Sequence, residues 1–401
     1  MRKTTILIFT LSITLCISAQ SDFDIAQKFM DKKGVKIVDI PTSTRNHTSG
    51  YSIFQGENGK GFVLVCNQSI IGYSTENAHD NSSIPTALEY MLEIYSKTAT
   101  RGTGSNDYPE EFVVRNTKEI PYMITTKWNQ GNPYNKMCPA IDGVNCVAGC
   151  GAVAVAQILN YFRLPFETQA IDLNHHDEGF PELEILPPTT FDWANMLDEY
   201  IGGQYSEEEA NAVAKLMRYC GQSMQTNYGI RDSYSWIYHS LEQNPFVRFF
   251  GFDDYFVQQC SSDDNNDESI IDTIDKTLEK GIPFMTNGSN EHFFIIDGRD
   301  ADGLYHINWG WGGSKDGYYI ISPSLFGKYG NKHSIADMQT LLTVCIATAT
   351  TEFTDIDNMA IEKGSTTSAD IYNLQGQKVG NSLENLKRGI YIQNGKKHII
   401  K

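Results

Sequence analysis

From Cys150 to Leu164 the chain reads Cys-Gly-Ala-Val-Ala-Val-Ala-Gln-Ile-Leu-Asn-Tyr-Phe-Arg-Leu, with no breaker after Gly151 until Pro165. An alanine-rich run of this length predicts a helix with small residues on its buried side, closed by Leu164-Pro165. Gly149 and Gly151 flank Cys150, which lets other backbone come close at the helix start. A thiol there feels the positive end of the helix dipole and the unpaired first-turn N–H groups, both of which favour thiolate. Thiolate is the nucleophilic form, so Cys150 is the candidate nucleophile. Cys146 competes for the role. If Cys146 began the helix, both glycines would fall within its first turns, each costing about 0.5–1 kcal/mol relative to alanine. Two buried structural cysteines are the bland alternative, and the setting of Cys150 argues against it.

A nucleophilic thiol needs a base and a group that orients the base. His292 directly precedes the apolar run Phe293–Ile296 and lies 142 residues after Cys150. Papain-type enzymes place their histidine and asparagine roughly 130–150 residues downstream of the cysteine. Asn308 follows in His306-Ile-Asn-Trp-Gly-Trp-Gly-Gly313, where it could accept the imidazole N–H from a neighbouring strand. His306 is the rival base, but it shares a strand face with Asn308 and reads as structural. Trp309 either packs in the core or shields the histidine–asparagine bond from water, where such a bond is stronger. Gln130, in Trp128-Asn-Gln-Gly-Asn-Pro-Tyr134, lies 20 residues before Cys150 and is a candidate oxyanion donor.

Around this centre the chain divides by pattern. Residues 1–19 read as a secretory signal: Arg2 and Lys3, an apolar stretch from Ile6 to Ile17, then Ser18-Ala19. Tyr51–Phe54 and Phe62–Val65 read as a hairpin across Gln55–Gly61, and Pro85 opens a helix with Ala87, Leu88, Met91, Leu92 and Tyr95 on one face. Thr100–Asp107 is a polar break of the kind proteases cut. Beyond it, Glu207–Met224 and Ile270–Leu278 read as helices around an acidic loop at Ser261–Glu268. Strand patterns follow at Phe293–Ile296, Leu304–Trp309 and Tyr318–Ile321, so helices precede an antiparallel sheet in an α+β arrangement. Short strands recur at Asp370–Leu374 and Gly389–Gln393.

The net charge is −17, and residues 121–350 alone hold about 30 acidic against 13 basic side chains. Such a surface disfavours nucleic acid. Eight cysteines become seven once the signal with Cys16 is removed, and an odd count in an exported chain suggests a free thiol. Cys138, Cys146 and Cys150 fit no common zinc spacing, and the adjacent His175-His176 could not both face one ion, so neither metal nor cofactor is expected.

Together these residues resemble the streptopain family of papain-like cysteine proteases, to which interpain belongs. The resemblance rests on Trp128–Asn135, on Ala156-Gln157-Ile158 seven residues past the nucleophile, on His292 before Phe293–Gly298, and on Asn308-Trp-Gly-Trp-Gly-Gly313. It implies a papain-like catalytic domain over 116–352, with Cys150 as nucleophile, His292 as base, Gln130 in the oxyanion hole, and Asn308 and Trp309 supporting the base. The run through Gly72-Tyr-Ser74 and Ile84-Pro85 resembles the family's inhibitory propeptide, placed at 20–115. The family's usual cysteine context, Gly-Cys-Val-Ala-Thr-Ala, is here Gly149-Cys-Gly-Ala-Val-Ala154, and Glu291 replaces a glycine. A carboxylate beside the base would raise its pKa or narrow the S1 side of the cleft. Glu291 and Trp311 are accordingly the candidate substrate-binding residues. Residues 353–401 resemble C-terminal β sorting domains of type IX secretion, which implies secretion or display at the cell surface, with the secretion machinery as a partner. The expected partners are otherwise protein and peptide substrates and the chain's own propeptide. An amidase or acyl transferase on the same fold, and a degenerate surface binding module, are the competing readings.

Overall fold

The computed structural model describes residues 21–38, 51–79, most of 84–95, 117–174, 177–235, 244–252, 257–260, 274–288, 292–321, 343–346 and parts of 371–400. The expected signal at 1–19, the break at 100–107, His175-His176, the acidic loop at 261–268 and Glu291 lie outside the described residues.

Helix α1 spans Asp22–Lys32, opened by a capping box in which Ser21 and Asp24 satisfy each other's backbone N–H groups. The strands that follow are β1 (Ile37–Val38), β2 (Tyr51–Gly56), β3 (Phe62–Cys66) and β4 (Ser69–Ser74). A helical stretch from residue 86 packs on them through Leu88, Met91, Leu92 and Tyr95. Next come a short hairpin of β5 (Ala140–Ile141) and β6 (Val144–Asn145), then α2 (Cys150–Phe162) and α3 (Glu207–Ser223). Helix α2 ends where Arg163 turns left-handed at φ 56°, and α3 begins with a Ser206–Glu209 capping box. Strands β7 (Val257–Cys260), β8 (Phe284–Gly288), β9 (His292–Arg299), β10 (Tyr305–Asn308), β11 (Gly317–Tyr319) and β12 (Thr343–Ile346) complete the body. A separate four-stranded sheet is built from β13 (Ile371–Asn373), β14 (Lys378–Gly380), β15 (Gly389–Gln393) and β16 (Lys396–Ile400), in the order β14-β13-β15-β16.

The α+β arrangement is thus present, with one addition that local patterning did not reveal. The N-terminal strands do not form a sheet of their own. They continue the sheet of β7–β12 in a single antiparallel order β1-β2-β3-β4-β11-β10-β9-β8-β12-β7, joined where Tyr73 pairs Tyr318 and Gly72 pairs Tyr319. Alternation along β9 feeds two cores. Phe293 and Ile295 face α2 and α3, while Phe294 and Ile296 face the layer shared with α1 and the 86–95 helix. An N-terminal unit too small for a robust core alone therefore borrows one from that sheet.

Gly72 marks the tightest point of that junction. A Cβ there would stand 2.6 Å from the ring of Tyr319, which is fully buried and has nowhere to go. Gly72→Ala is expected to weaken docking of residues 21–95 by roughly 5- to 150-fold, the equivalent of about 1–3 kcal/mol of overpacking. Faster amide hydrogen exchange across β4 and β11 in the full-length variant would register it, and unchanged exchange would refute it.

Candidate active site

Cys150 is the first residue of α2, and Gly149 caps the helix at φ 89° without a side-chain bond. Conformation demands the first flanking glycine and space the second. Gly149 sits in the left-handed region, and a Cβ on Gly151 would lie 2.6 Å from Ser235 Oγ. The Cys150 Sγ accepts from the backbone N–H of Phe293 at 3.4 Å, so the strand that starts with His292 touches Cys150. Burial pushes the Cys150 thiol above its ordinary pKa, against the opposing N–H groups of Phe293, Gly151 and Cys150 itself. The helix start is there as the sequence implies, but in this buried state desolvation outweighs it. Cys146 is fully buried in the preceding loop, its N–H given to Pro139 O at 2.8 Å and its carbonyl receiving Asn135 Nδ2 at 3.1 Å. Those bonds describe a structural residue.

His292 opens β9 and is buried. Its Nε2 lies 2.9 Å from the Trp309 carbonyl oxygen, and a carbonyl only accepts, so Nε2 carries the hydrogen and Nδ1 holds the free lone pair. Burial lowers the imidazole pKa to about 4, with the Trp309 carbonyl working in the opposite direction. Here the expectation for Asn308 needs correcting. Its side chain is turned to α2 rather than to His292: Oδ1 accepts from Gln157 Nε2 and from Gly310 N–H, each at 3.0 Å, and Nδ2 donates to Thr126 O at 3.0 Å. The pleat is the reason. Asn308 and His306 point to the helix side, so the contact with His292 falls to the main chain of the next residue.

His306 is bonded through Nδ1 to Asp297 Oδ1 at 2.6 Å and stacks on Tyr122 with ring centroids 4.6 Å apart. Burial opposes its protonation, but Asp297, Asp316 and Glu76 outweigh that and raise its pKa. It holds the sheet to the incoming 120–124 segment, since Asp297 also accepts from the N–H groups of Met123 and Ile124.

The remaining candidates surround this pair. Gln130 is half-buried, and its carbonyl accepts from Ala148 N–H at 2.9 Å, two residues before the nucleophile. Trp309 is fully buried, its ring 6.3 Å from that of His292, with Nε1–H donated to Lys315 O and its backbone N–H to Asp316 Oδ1. Trp311 meets the His292 ring edge-on at 6.0 Å. Gly310, Gly312 and Gly313 all have φ near +70°, which makes this turn a conformation that only glycine adopts without strain. Two contributors were given no role by the sequence. Gln157 is the one polar side chain between Ala152 and Leu159, an oddity visible in the sequence. Asp316 is buried, and burial pushes its carboxyl up to about 7, against the Trp309 N–H and His306.

Residues 128–319 match the Peptidase C10 family, and residues 16–99 match the Spi protease inhibitor family. The chain is 29% identical over 308 residues to streptopain of Streptococcus pyogenes, spanning 67% of this chain and 74% of that protein. It is 24% identical over 305 residues to the thiol protease/hemagglutinin PrtT of Porphyromonas gingivalis, covering 69% of this chain and 35% of the other. Among solved structures it resembles a prointerpain A fragment of Prevotella intermedia, with a TM-score of 0.61 and 27% identity over 77% of this chain and 97% of that one. The chain is a streptopain- and interpain-like cysteine endopeptidase, with its peptidase C10 match over 128–319 preceded by a match to a Spi-type inhibitor.

Proposed function

We propose that Cys150 and His292 form the dyad of this cysteine endopeptidase zymogen and that Gln130 supplies the oxyanion donor. With Nε2–H fixed on the Trp309 carbonyl, His292 turns Nδ1 to the thiol, takes its proton as the sulfur attacks the scissile carbonyl, and returns it to the leaving amine. The resulting thioester is then opened by water, with the same nitrogen acting first as base. The observation that carries this reading is the short bridge between the two partners: the Phe293 N–H, adjacent to His292, reaches Cys150 Sγ. An oxyanion donor of this kind contributes roughly 2.7–4 kcal/mol to the transition state. Trp309 supports the base through its carbonyl, and Trp311 and Glu291 fit the substrate side of the cleft.

The division that goes with this function is a leader at 1–19, an inhibitory propeptide at 20–115, the peptidase at 116–352 and a small β domain at 353–401. The last of these fits a sorting domain read by a secretion system, with the mature enzyme secreted or held at the cell surface. Incubating the full-length chain with casein tests the catalytic assignment. Thiol-dependent hydrolysis, blocked in proportion to carboxamidomethylation of Cys150, is the expected result. Hydrolysis that persists with Cys150 fully modified would refute it.

A further inference from the structure

We propose that Gln157 is a positioning residue that locks the nucleophile helix to the carbonyl orienting the base, an inference resting on the Cys150–His292 assignment above. Gln157 lies seven residues after Cys150, two turns along the same face of α2 and about 10 Å up the axis. Every other residue from Ala152 to Leu159 is apolar, and Gln157 is 1% exposed. An amide buried this deeply is unfavourable unless it is paired. Gln157 is paired on both sides, and both sides lead to the active centre.

On one side Oε1 accepts from Thr126 Oγ1 at 2.8 Å, which ties α2 to the segment running on to Gln130. On the other, Nε2 donates to Asn308 Oδ1 at 3.0 Å, and Asn308 Nδ2 donates back to Oε1 at 3.3 Å. That same oxygen accepts the Gly310 N–H at 3.0 Å. The Gly310 N–H and the Trp309 C=O are the two ends of one peptide group, and the Trp309 carbonyl is the acceptor for His292 Nε2. The chain Gln157–Asn308–peptide 309/310–His292 is therefore continuous, and hydrogen bonds in series polarise one another. The peptide group is also the one most in need of fixing, because it leads into a glycine at φ 70°. The turn rests directly on α2, since a Cβ at Gly310 would stand 3.0 Å from Val153 Cγ1. Tilting the 309/310 plane would turn the His292 ring and withdraw Nδ1 from the thiol.

A merely structural buried amide would cost stability when replaced, and nothing more. Gln157→Glu separates the two roles. It keeps volume and the acceptor for Thr126 but faces Asn308 Oδ1 with a second acceptor. Asn308 Nδ2 can keep its bond to Oε1, but Oδ1 meets an acceptor in place of a donor, which weakens its hold on the Gly310 N–H. Gln157→Met removes all three bonds at similar volume. The full-length variants are matured with immobilised wild-type enzyme, their active sites titrated, and kcat, KM and the pH dependence of kcat/KM and of Cys150 alkylation measured. We expect kcat to fall about 10- to 100-fold in both, the scale of a misplaced catalytic group, with KM within about threefold. The His292 limb of both pH profiles should move by about half a unit or more. Unchanged kcat and profiles beside an inactive Cys150→Ala enzyme would overturn the proposal alone. Lower thermal stability with those kinetics unmoved would do the same. Activity surviving in Cys150→Ala would bring down the underlying assignment and the proposal with it.

Discussion

Cys150→Ala abolishes peptide hydrolysis, a loss of at least about 10³-fold in kcat/KM, while Cys146→Ala keeps most of it; this is the expected result of exchanging the two thiols separately. The geometry gives each cysteine a different job. Cys150 begins a helix and touches the strand of the base, whereas Cys146 is enclosed in a loop whose backbone bonds do not involve its sulfur. Removing the Cys146 sulfur leaves a small void and costs about 1 kcal/mol of stability, with the chemistry intact. His292→Ala should match Cys150→Ala, and it should also suppress alkylation at neutral pH. His306→Asn loses a buried ion pair but no catalytic group, so activity per folded molecule is retained. Among the described thiols outside the N-terminal unit, Cys138 and Cys220 compete poorly for iodoacetamide, since burial pushes Cys138 up to about 12 and Cys220 well above its ordinary value. Single-site labelling of the native mature enzyme at Cys150, read by mass spectrometry, completes the expectation. Inactivity of a well-folded Cys146→Ala would move the nucleophile.

The centre was legible where chemistry coincides with a local signature. The two glycines around Cys150 announced a crowded helix start, and Gly151 does face Ser235 at a distance no Cβ tolerates. His292 stood at the head of an apolar run that became β9, and α3 carried its capping box openly at Ser206 and Glu209. Asn308 was found but given the wrong contact. Every residue has a carbonyl, so nothing in the sequence marks the one at Trp309 as the acceptor for His292. The side chain of Asn308 acts one peptide removed, which only the pleat of β10 reveals. Long-range pairing was invisible for a related reason. Strand β11 is three residues long, and its partner β4 lies about 245 residues earlier in the chain. Helix α1 was missed although Ser21 and Asp24 cap it and Phe23, Ala26, Phe29 and Met30 recur at helical spacing along its packed face.

The full-length chain is expected to hydrolyse a peptide substrate at least about 100-fold more slowly than the chain begun near Arg115, because its inhibitor is both tethered and built into the catalytic sheet. The contacts converge on the segment that supports the base. Asn77 Nδ2 donates to Asp316 O at 3.0 Å, and Lys315 N–H donates to Ala78 O at 3.2 Å. Lys315 and Asp316 in turn hold the Trp309 ring and backbone, and Trp309 holds His292. Further along, Tyr73 donates to Asp300 at 2.6 Å, and Lys33 pairs with Asp302 at 2.8 Å. In this docked form burial keeps both partners uncharged at pH 7: the thiol because its pKa is raised, the imidazole because its own is near 4. Tethering alone gives that unit an effective concentration in the millimolar range, so modest intrinsic affinity keeps the site closed. Cutting the connection removes the advantage. Activity should rise as the chain shortens by roughly 95 residues, the expected length of the inhibitory unit, and Cys150 alkylation should quicken in step. A Cys150→Ala precursor should stay uncut until active enzyme is added. Intact precursor that hydrolyses peptide as fast as the shortened chain, with its thiol equally reactive, would remove the inhibitory role from residues 20–115.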